Sequence, residues 1–260
     1  MSQVQRPAGM SDMESLLQCK NIDCSRWYPY SINAYRNDVS QGIFGSLDYY
    51  YRSNIAYNLQ YLEYLELQLR ELNVSSVIRA MIFKNFIITA ASIIEIVFYH
   101  LAKANGKIKL RHEKQVFRQD IKKPKDISDE VQADKYTLFG YEIMPTGIED
   151  VTKFEQLISI VRDNKLLVDT DLSINKEYLK LLRKLRNKIH LTTATCTEET
   201  DYNKFWYKDY LSAKFFLIIV LRDSMFGKDK QVIFPKMYAA VLEQIENFRN
   251  NKIQTYIWTN

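Results

Sequence analysis

Two arginines, an asparagine and a histidine fall close together in the run Arg183-Lys184-Leu185-Arg186-Asn187-Lys188-Ile189-His190-Leu191. A histidine exchanges a proton near neutral pH, and a guanidinium group grips a phosphate through paired hydrogen bonds. The combination suits phosphodiester chemistry without a metal. In a helix each residue adds about 100° of turn, so with Tyr178 at zero Ile174, Leu182, Leu185 and Ile189 fall within about 40° of it. Arg186, His190 and Arg183 follow at about 80°, 120° and 140°, one contiguous patch beside the apolar stripe. Lys180, Lys184 and Lys188 lie further round, on the solvated side. The same residue types also suit an ordinary helix C-terminus, where cations oppose the macrodipole and a histidine caps the last carbonyls.

The Arg-Asn-Lys-Ile-His string, ending a basic amphipathic helix inside a chain that reads as all-α, resembles the signature of the HEPN superfamily (higher eukaryote and prokaryote nucleotide-binding domains). In that family the arginine often has a polar residue directly after it and stands further from the histidine than Arg186 does. Arg186 is followed by Asn187 but leaves three residues before His190, whereas Arg183 leaves six but is followed by Lys184. Each arginine therefore matches the pattern in one respect.

The resemblance implies a HEPN-like helical bundle and a metal-independent endoribonuclease whose composite site forms in a homodimer, one motif from each subunit. It implies His190, Arg186 and Arg183 as catalytic residues and Asn187, Lys188 and Lys184 as substrate-binding ones. His190 would transfer the proton of a 2′-hydroxyl or of the leaving oxygen, the arginines would neutralise the phosphate, and Asn187 would orient the substrate or the histidine. RNA brings its own nucleophile to such a site, so no cofactor is needed. The implied partners are RNA or a nucleotide, a second copy of the chain and a cognate antitoxin, in a toxin or antiviral role. Two alternatives stand beside this reading: a noncatalytic HEPN-like module binding a nucleotide, an RNA or a protein, and a purely structural helical dimer.

Composition bounds the rest. The chain has 260 residues, enough for one large or two small domains and for a substantial core. Its formal charge of +5 is too small by itself to argue for nucleic acid. The distribution is more telling, because residues 173–191 carry Lys176, Lys180, Arg183, Lys184, Arg186 and Lys188 against the single acid Glu177. Glycines number 7 and open no phosphate-binding loop, and neither a Gly-x-Ser-x-Gly elbow nor a His-Glu-x-x-His helix is present. Cys19, Cys24 and Cys196 with the scattered His100, His112 and His190 make no zinc pattern and read as reduced thiols in a cytoplasmic protein. The first twenty residues lack the apolar run of a signal peptide, and no uncharged stretch reaches the roughly 18 residues of a membrane span. The expectation is a cytoplasmic protein with no membrane association.

The elements that must position the motif are marked by punctuation. Neither glycine nor proline occurs between Gly45 and Gly106 or between Gly147 and Gly227, so both blocks are expected to be helical. The first reads as two helices, 46–72 and 75–104, broken at Asn73-Val74-Ser75-Ser76 with a serine as N-cap. In the second of these, Ile82, Phe83, Phe86, Ile87, Ile93, Ile94 and their neighbours cover most of the circumference, as in the centre of a bundle or a dimer interface. Glu95 interrupts that surface and is costly to bury alone. It calls for a cation, with Arg186 or Arg183 and the edge residue Lys103 as candidates. The later block predicts helices over 151–164, 174–191 and 203–226, and a last amphipathic helix runs from Pro235 to Asn250.

The segment between the blocks is polarised: Lys103 to Lys125 holds nine bases against two acids, and Asp126 to Asp150 seven acids against one base. Alternation at Lys107-Ile108-Lys109-Leu110 and Tyr136-Thr137-Leu138-Phe139 predicts a short hairpin there. This segment could contact RNA as a flap, shield the motif, or be a surface excursion with no catalytic part. The domain reading is an irregular arm over 1–45, a HEPN-like helical domain over 46–226 with its insertion at about 106–147, and a C-terminal helix within 227–260 packed on the same domain.

Overall fold

A computed structural model describes residues 28–122, 135–149, 153–170, 172, 176–188, 196–197, 200–227 and 233–249. Helices dominate, with one small two-stranded antiparallel sheet. In chain order the elements are α1 (Ile32–Asp38), a 3-10 turn (Gly42–Ser46), α2 (Tyr49–Glu71), α3 (Ser76–Ala104), β1 (Leu110–Lys122), β2 (Lys135–Glu149), α4 (Phe154–Asp163), α5 (Lys176–Asn187), α6 (Asp201–Lys204), α7 (Tyr207–Arg222), a 3-10 turn (Ser224–Phe226) and α8 (Ile233–Arg249).

α3 is the axis of the bundle. Its start is set by Ser75, whose side chain accepts the Ile78 N–H at 3.4 Å. Its end is a Schellman turn. Gly106 sits at φ +64, its N–H bonds the Lys103 carbonyl at 2.9 Å, and the Lys107 N–H bonds the Ala102 carbonyl at 2.8 Å. Between these caps Ile82, Phe83, Phe86, Ile87, Ile94, Val97, Phe98 and Leu101 are buried, and Ala90 and Ala91 let neighbours approach closely. The helix packs against α2, α4, α5, α6 and α7. By length and composition it could also cross a membrane; in this fold its apolar side chains contribute to the core.

Two expectations are corrected. The arm before residue 46 is not irregular where it is described: Ser31 caps α1, and Tyr35, Val39 and Phe44 are buried in the core. Phe44 stacks on Phe226 with ring centroids 4.3 Å apart. Gly42, at φ +55, makes this docking possible, since a Cβ there would lie 2.5 Å from the Met225 carbonyl oxygen. The helix expected over 203–226 is three pieces, α6, α7 and the final 3-10 turn. Extended backbone at Phe205 and Trp206 separates the first two, with the Trp206 Nε1–H donating to the Asn203 carbonyl at 3.0 Å.

Asp223 fixes the far end of α7 to the α4–α5 connection. Its buried carboxylate accepts the N–H groups of Val168, Asp169 and Thr170 at 3.1, 2.8 and 3.0 Å, and Asp169 in return accepts the Ser224 N–H at 2.8 Å. Three backbone donors of the loop that leads to the motif helix are thereby held in place.

The insertion is a long ribbon rather than a short hairpin. β1 and β2 pair from Leu110↔Glu149 to Lys122↔Lys135, with irregularities between Arg111 and Glu113 and between Gln115 and Phe117. Its root is tied to the bundle through Glu149, which accepts from Lys103 and from the Tyr99 hydroxyl.

Candidate functional site

α5 places the part of the motif it contains, Arg183 to Asn187, on the faces the helical wheel predicts, and ends at Asn187 where the sequence predicted a helix to 191. Leu179, Leu182 and Leu185 are buried against the core, Tyr178 packs its ring 5.9 Å from that of Phe216, and burial pushes the Tyr178 hydroxyl pKa well above its ordinary range. Arg183 and Arg186 stand at the border of this stripe, half-exposed, while Lys180 and Lys184 face solvent. Lys180 pairs with Glu177 at 2.8 Å along its own helix. Asn187 is exposed at the end of the helix, and the Lys188 N–H closes the last turn on the Leu185 carbonyl at 3.0 Å.

The two arginines are held from two different helices. Arg186 reaches Glu95 of α3, Nη2 to Oε2 at 2.6 Å, and its Nη1 leans on the Asn187 Oδ1 at 3.4 Å. Arg183 donates through Nη1 to Glu155 in the first turn of α4. Of the three candidates for Glu95, Arg186 reaches it, while Arg183 goes to Glu155 and Lys103 to Glu149. His190 lies outside the described residues, as do Ile189 and Ile174 of the apolar stripe and the threonine-rich stretch that follows.

Glu95, Tyr99 and Lys103 are spaced four residues apart, so they form one stripe on α3 with about 6 Å of rise between neighbours. Glu95 holds Arg186, and Tyr99 and Lys103 hold Glu149. The root of the ribbon thus sits one helical turn from the Glu95–Arg186 pair.

The other two histidines have contrasting surroundings. His100 is wedged between Tyr51 and Tyr99, with ring centroids at 4.5 and 5.1 Å, and burial together with Lys103 lowers its pKa against the opposing pull of Asp48. His112 lies exposed on β1, its Nδ1 3.2 Å from the Met144 carbonyl oxygen. Cys196 is a free, exposed thiol, and Cys19 and Cys24 lie outside the described residues. Among the described residues no group of three or more His, Cys, Asp or Glu side chains could hold a metal ion.

No protein-family model, curated protein or solved structure matches this chain.

A second ionic cluster, between α2, α7 and α8, went unread in the sequence. Lys214 Nζ donates to Glu66 and, at 3.0 Å, to the Gln244 Oε1, and the Tyr210 hydroxyl donates to the other Glu66 oxygen. One turn away on α2, burial raises the Glu63 carboxyl to about 7; Glu66 adds to the rise, and Tyr35, Lys214 and Arg70 only partly oppose it. The available signal was a lone lysine inside the apolar run of α7, the same kind of signal that singled out Glu95 in α3.

Proposed function

We propose that this chain is a HEPN-like, metal-independent endoribonuclease acting on RNA through a composite site in a homodimer, in a toxin or antiviral role. The observation that most supports the reading is the Arg186–Glu95 pair. A glutamate from the central helix holds the guanidinium at the end of the basic helix, yet the arginine side chain keeps 35% of its surface exposed. A guanidinium has five N–H donors. Among the described residues Arg186 uses one on Glu95 and a weak second on Asn187, so donors remain for a phosphate oxygen.

In the proposed reaction the 2′-oxygen of the substrate attacks the adjacent phosphorus while His190 takes its proton. The P–O5′ bond then breaks, the leaving oxygen receives a proton from the paired motif, and a 2′,3′-cyclic phosphate remains. Arg186 and Arg183 would carry the negative charge that builds on the phosphate, with Asn187, Lys184 and Lys188 lining the approach. Donors fixed before the reaction stabilise such charge with little reorganisation.

A second reading, a noncatalytic HEPN-like module binding RNA, a nucleotide or a protein, is favoured by one observation: both arginines already meet a carboxylate, Arg186 at Glu95 and Arg183 at Glu155. Cleavage separates the two. Wild type and His190→Ala are incubated with a mixed RNA pool in excess chelator, after circular dichroism has shown both folded. The nuclease reading expects a loss of about 10²–10⁴-fold in rate for the variant, the usual worth of a general acid or base. Equal cleavage by both proteins sinks it, and salt-dependent binding without cleavage supports the module.

A further inference from the structure

One strip of the central helix is left open. With Glu95 at zero, Ile88, Ser92, Asn85 and Thr89 fall at about 20°, 60°, 80° and 120° around α3. Asn85 and Ser92 are exposed and Ile88 and Thr89 half-buried, while the side chains that fill the core occupy the rest of the circumference. One edge of the strip is the site already described. Glu95 holds Arg186 there, and Lys84, on the same edge one helix face further toward the start of α3, holds Asp201 at 2.6 Å. On the other edge, at about 140°, His100 packs on Tyr51 of α2.

What the strip lacks is charge. The exposed side of a helix in a soluble protein ordinarily carries it, yet Lys84 is the one charged residue between Arg79 and Glu95, and Asp201 neutralises it. Three uncharged hydrogen-bonding side chains stand in its place. Among the described residues Asn85 and Thr89 have no side-chain hydrogen bond, and Ser92 donates to the Ile88 carbonyl at 2.9 Å, which leaves its oxygen able to accept.

We infer that Asn85, Thr89 and Ser92 form the base-reading floor of the RNA site and that the substrate is unpaired where it crosses them. Charge picks the occupant. Residues 176–188 hold Lys176, Lys180, Arg183, Lys184, Arg186 and Lys188 against Glu177, and Arg186 of that segment meets the edge of the neutral strip. A basic edge beside a neutral floor matches a strand whose backbone is anionic and whose bases are not. A neutral protein surface laid on the strip would leave the basic edge unanswered. Phosphate contacts position such a strand, and donors and acceptors beneath it tell one base from another. Ser92, Thr89 and Asn85 lie about 4.5, 9 and 15 Å along the axis from Glu95, so they accompany the nucleotides next to the phosphate at Arg186. Those nucleotides are unpaired because A-form RNA hides base edges in a deep, narrow groove that side chains cannot read. The inference rests on the RNA reading of the motif helix and adds where the bases lie and which residues choose among them.

The test is fluorescence anisotropy on the full chain with labelled 2′-O-methyl homopolymers of A, C and U, which offer no 2′-hydroxyl for cleavage, and an abasic phosphodiester strand of equal length. Circular dichroism checks that each variant is folded. Wild type is expected to separate its tightest from its weakest homopolymer by about 10-fold or more. Asn85→Ala/Thr89→Val should bring that ratio within about 2-fold and leave the abasic strand bound as before. Ser92→Leu, which raises the floor without adding charge, should weaken the homopolymers and spare the abasic strand. Ratios unchanged in both variants overturn the inference, as does a wild type that binds the abasic strand as tightly as the homopolymers. Variants that change the sedimentation mass instead of the base preference make a second copy the occupant and overturn it too. Arg186→Ala separates this inference from the reading beneath it. Homopolymer binding that falls in Arg186→Ala but ignores the strip keeps the phosphate site and removes the floor. A strip-dependent preference that Arg186→Ala does not weaken keeps the floor and removes the motif arginine, and a wild type that binds none of the strands at low salt removes both.

Discussion

Two clusters of acids and bases join helices in this molecule, and they are built to opposite ends. At Glu66, Lys214, Tyr210 and Gln244 the lysine is 3% exposed, and every partner comes from a packed helix. At Glu95, Arg186, Asn187, Arg183 and Glu155 the arginines keep a face to solvent and their acids stand at the edge of the bundle. A sealed cluster cannot trade its partners for a ligand and serves to hold one arrangement of the helices. An open one can exchange a carboxylate for an incoming phosphate at small cost, because exposed pairs contribute only about 0–1 kcal/mol. Similar residue types thus mark structure in one place and a candidate site in the other, and accessibility is what separates them.

The largest effect that would break this contrast is on stability. Lys214→Met leaves the Glu66 carboxylate with its charge in a nearly dry site, and removing one partner of a buried pair costs about 3–5 kcal/mol. Chemical denaturation should show that loss, and Lys214→Met/Glu66→Leu should recover most of it because no lone charge remains. If the single variant unfolds no more easily than wild type, the cluster is not sealed in solution.

The next effect depends on pH. Burial lifts the Glu63 carboxyl from its ordinary 4.5 to about 7, so between those values the folded chain holds a proton that the unfolded chain has released. Stability should therefore fall as pH rises through that window. Glu63→Gln should remove this slope, stabilising the protein by about 3 kcal/mol at pH 8, at 1.36 kcal/mol per pKa unit, and by almost nothing near pH 4. Parallel pH–stability curves for the two proteins would show that Glu63 is hydrated after all.

What was legible in the sequence follows the same division between what a residue requires and what it merely permits. α3, its Ser75 cap and its Gly106 stop could be read because glycine and serine are strongly constrained at helix ends. The Glu95 to Arg186 contact could be anticipated because a lone acid in an apolar helix must find a cation. Glu155 could not, since a surface acid in the first turn of α4 has no obligation to pair. The ribbon was underestimated because its two irregularities interrupt the alternation, and because apolar residues on both faces blur a period of two. The break before α7 has no glycine or proline to announce it; extended backbone at Phe205, whose side chain is buried, makes it.

The smallest effect on stability carries the most information about function. Glu95→Gln keeps the shape of the side chain and a hydrogen-bond acceptor for Arg186 but removes the charge that neutralises it. Because both side chains of the pair are partly exposed, at 35 and 24%, the change in stability should stay within about 1 kcal/mol. If the open cluster is a phosphate site, the freed guanidinium should bind a non-cleavable oligonucleotide several-fold more tightly. The salt dependence should steepen by about one released counterion, the amount one further phosphate contact contributes. If Glu95 instead orients Arg186 for catalysis, affinity should rise while cleavage falls, since a guanidinium released from its anchor binds phosphate in the wrong place. Unchanged affinity at every salt concentration would mean that Arg186 faces no phosphate, and the open cluster would then be no different in kind from the sealed one.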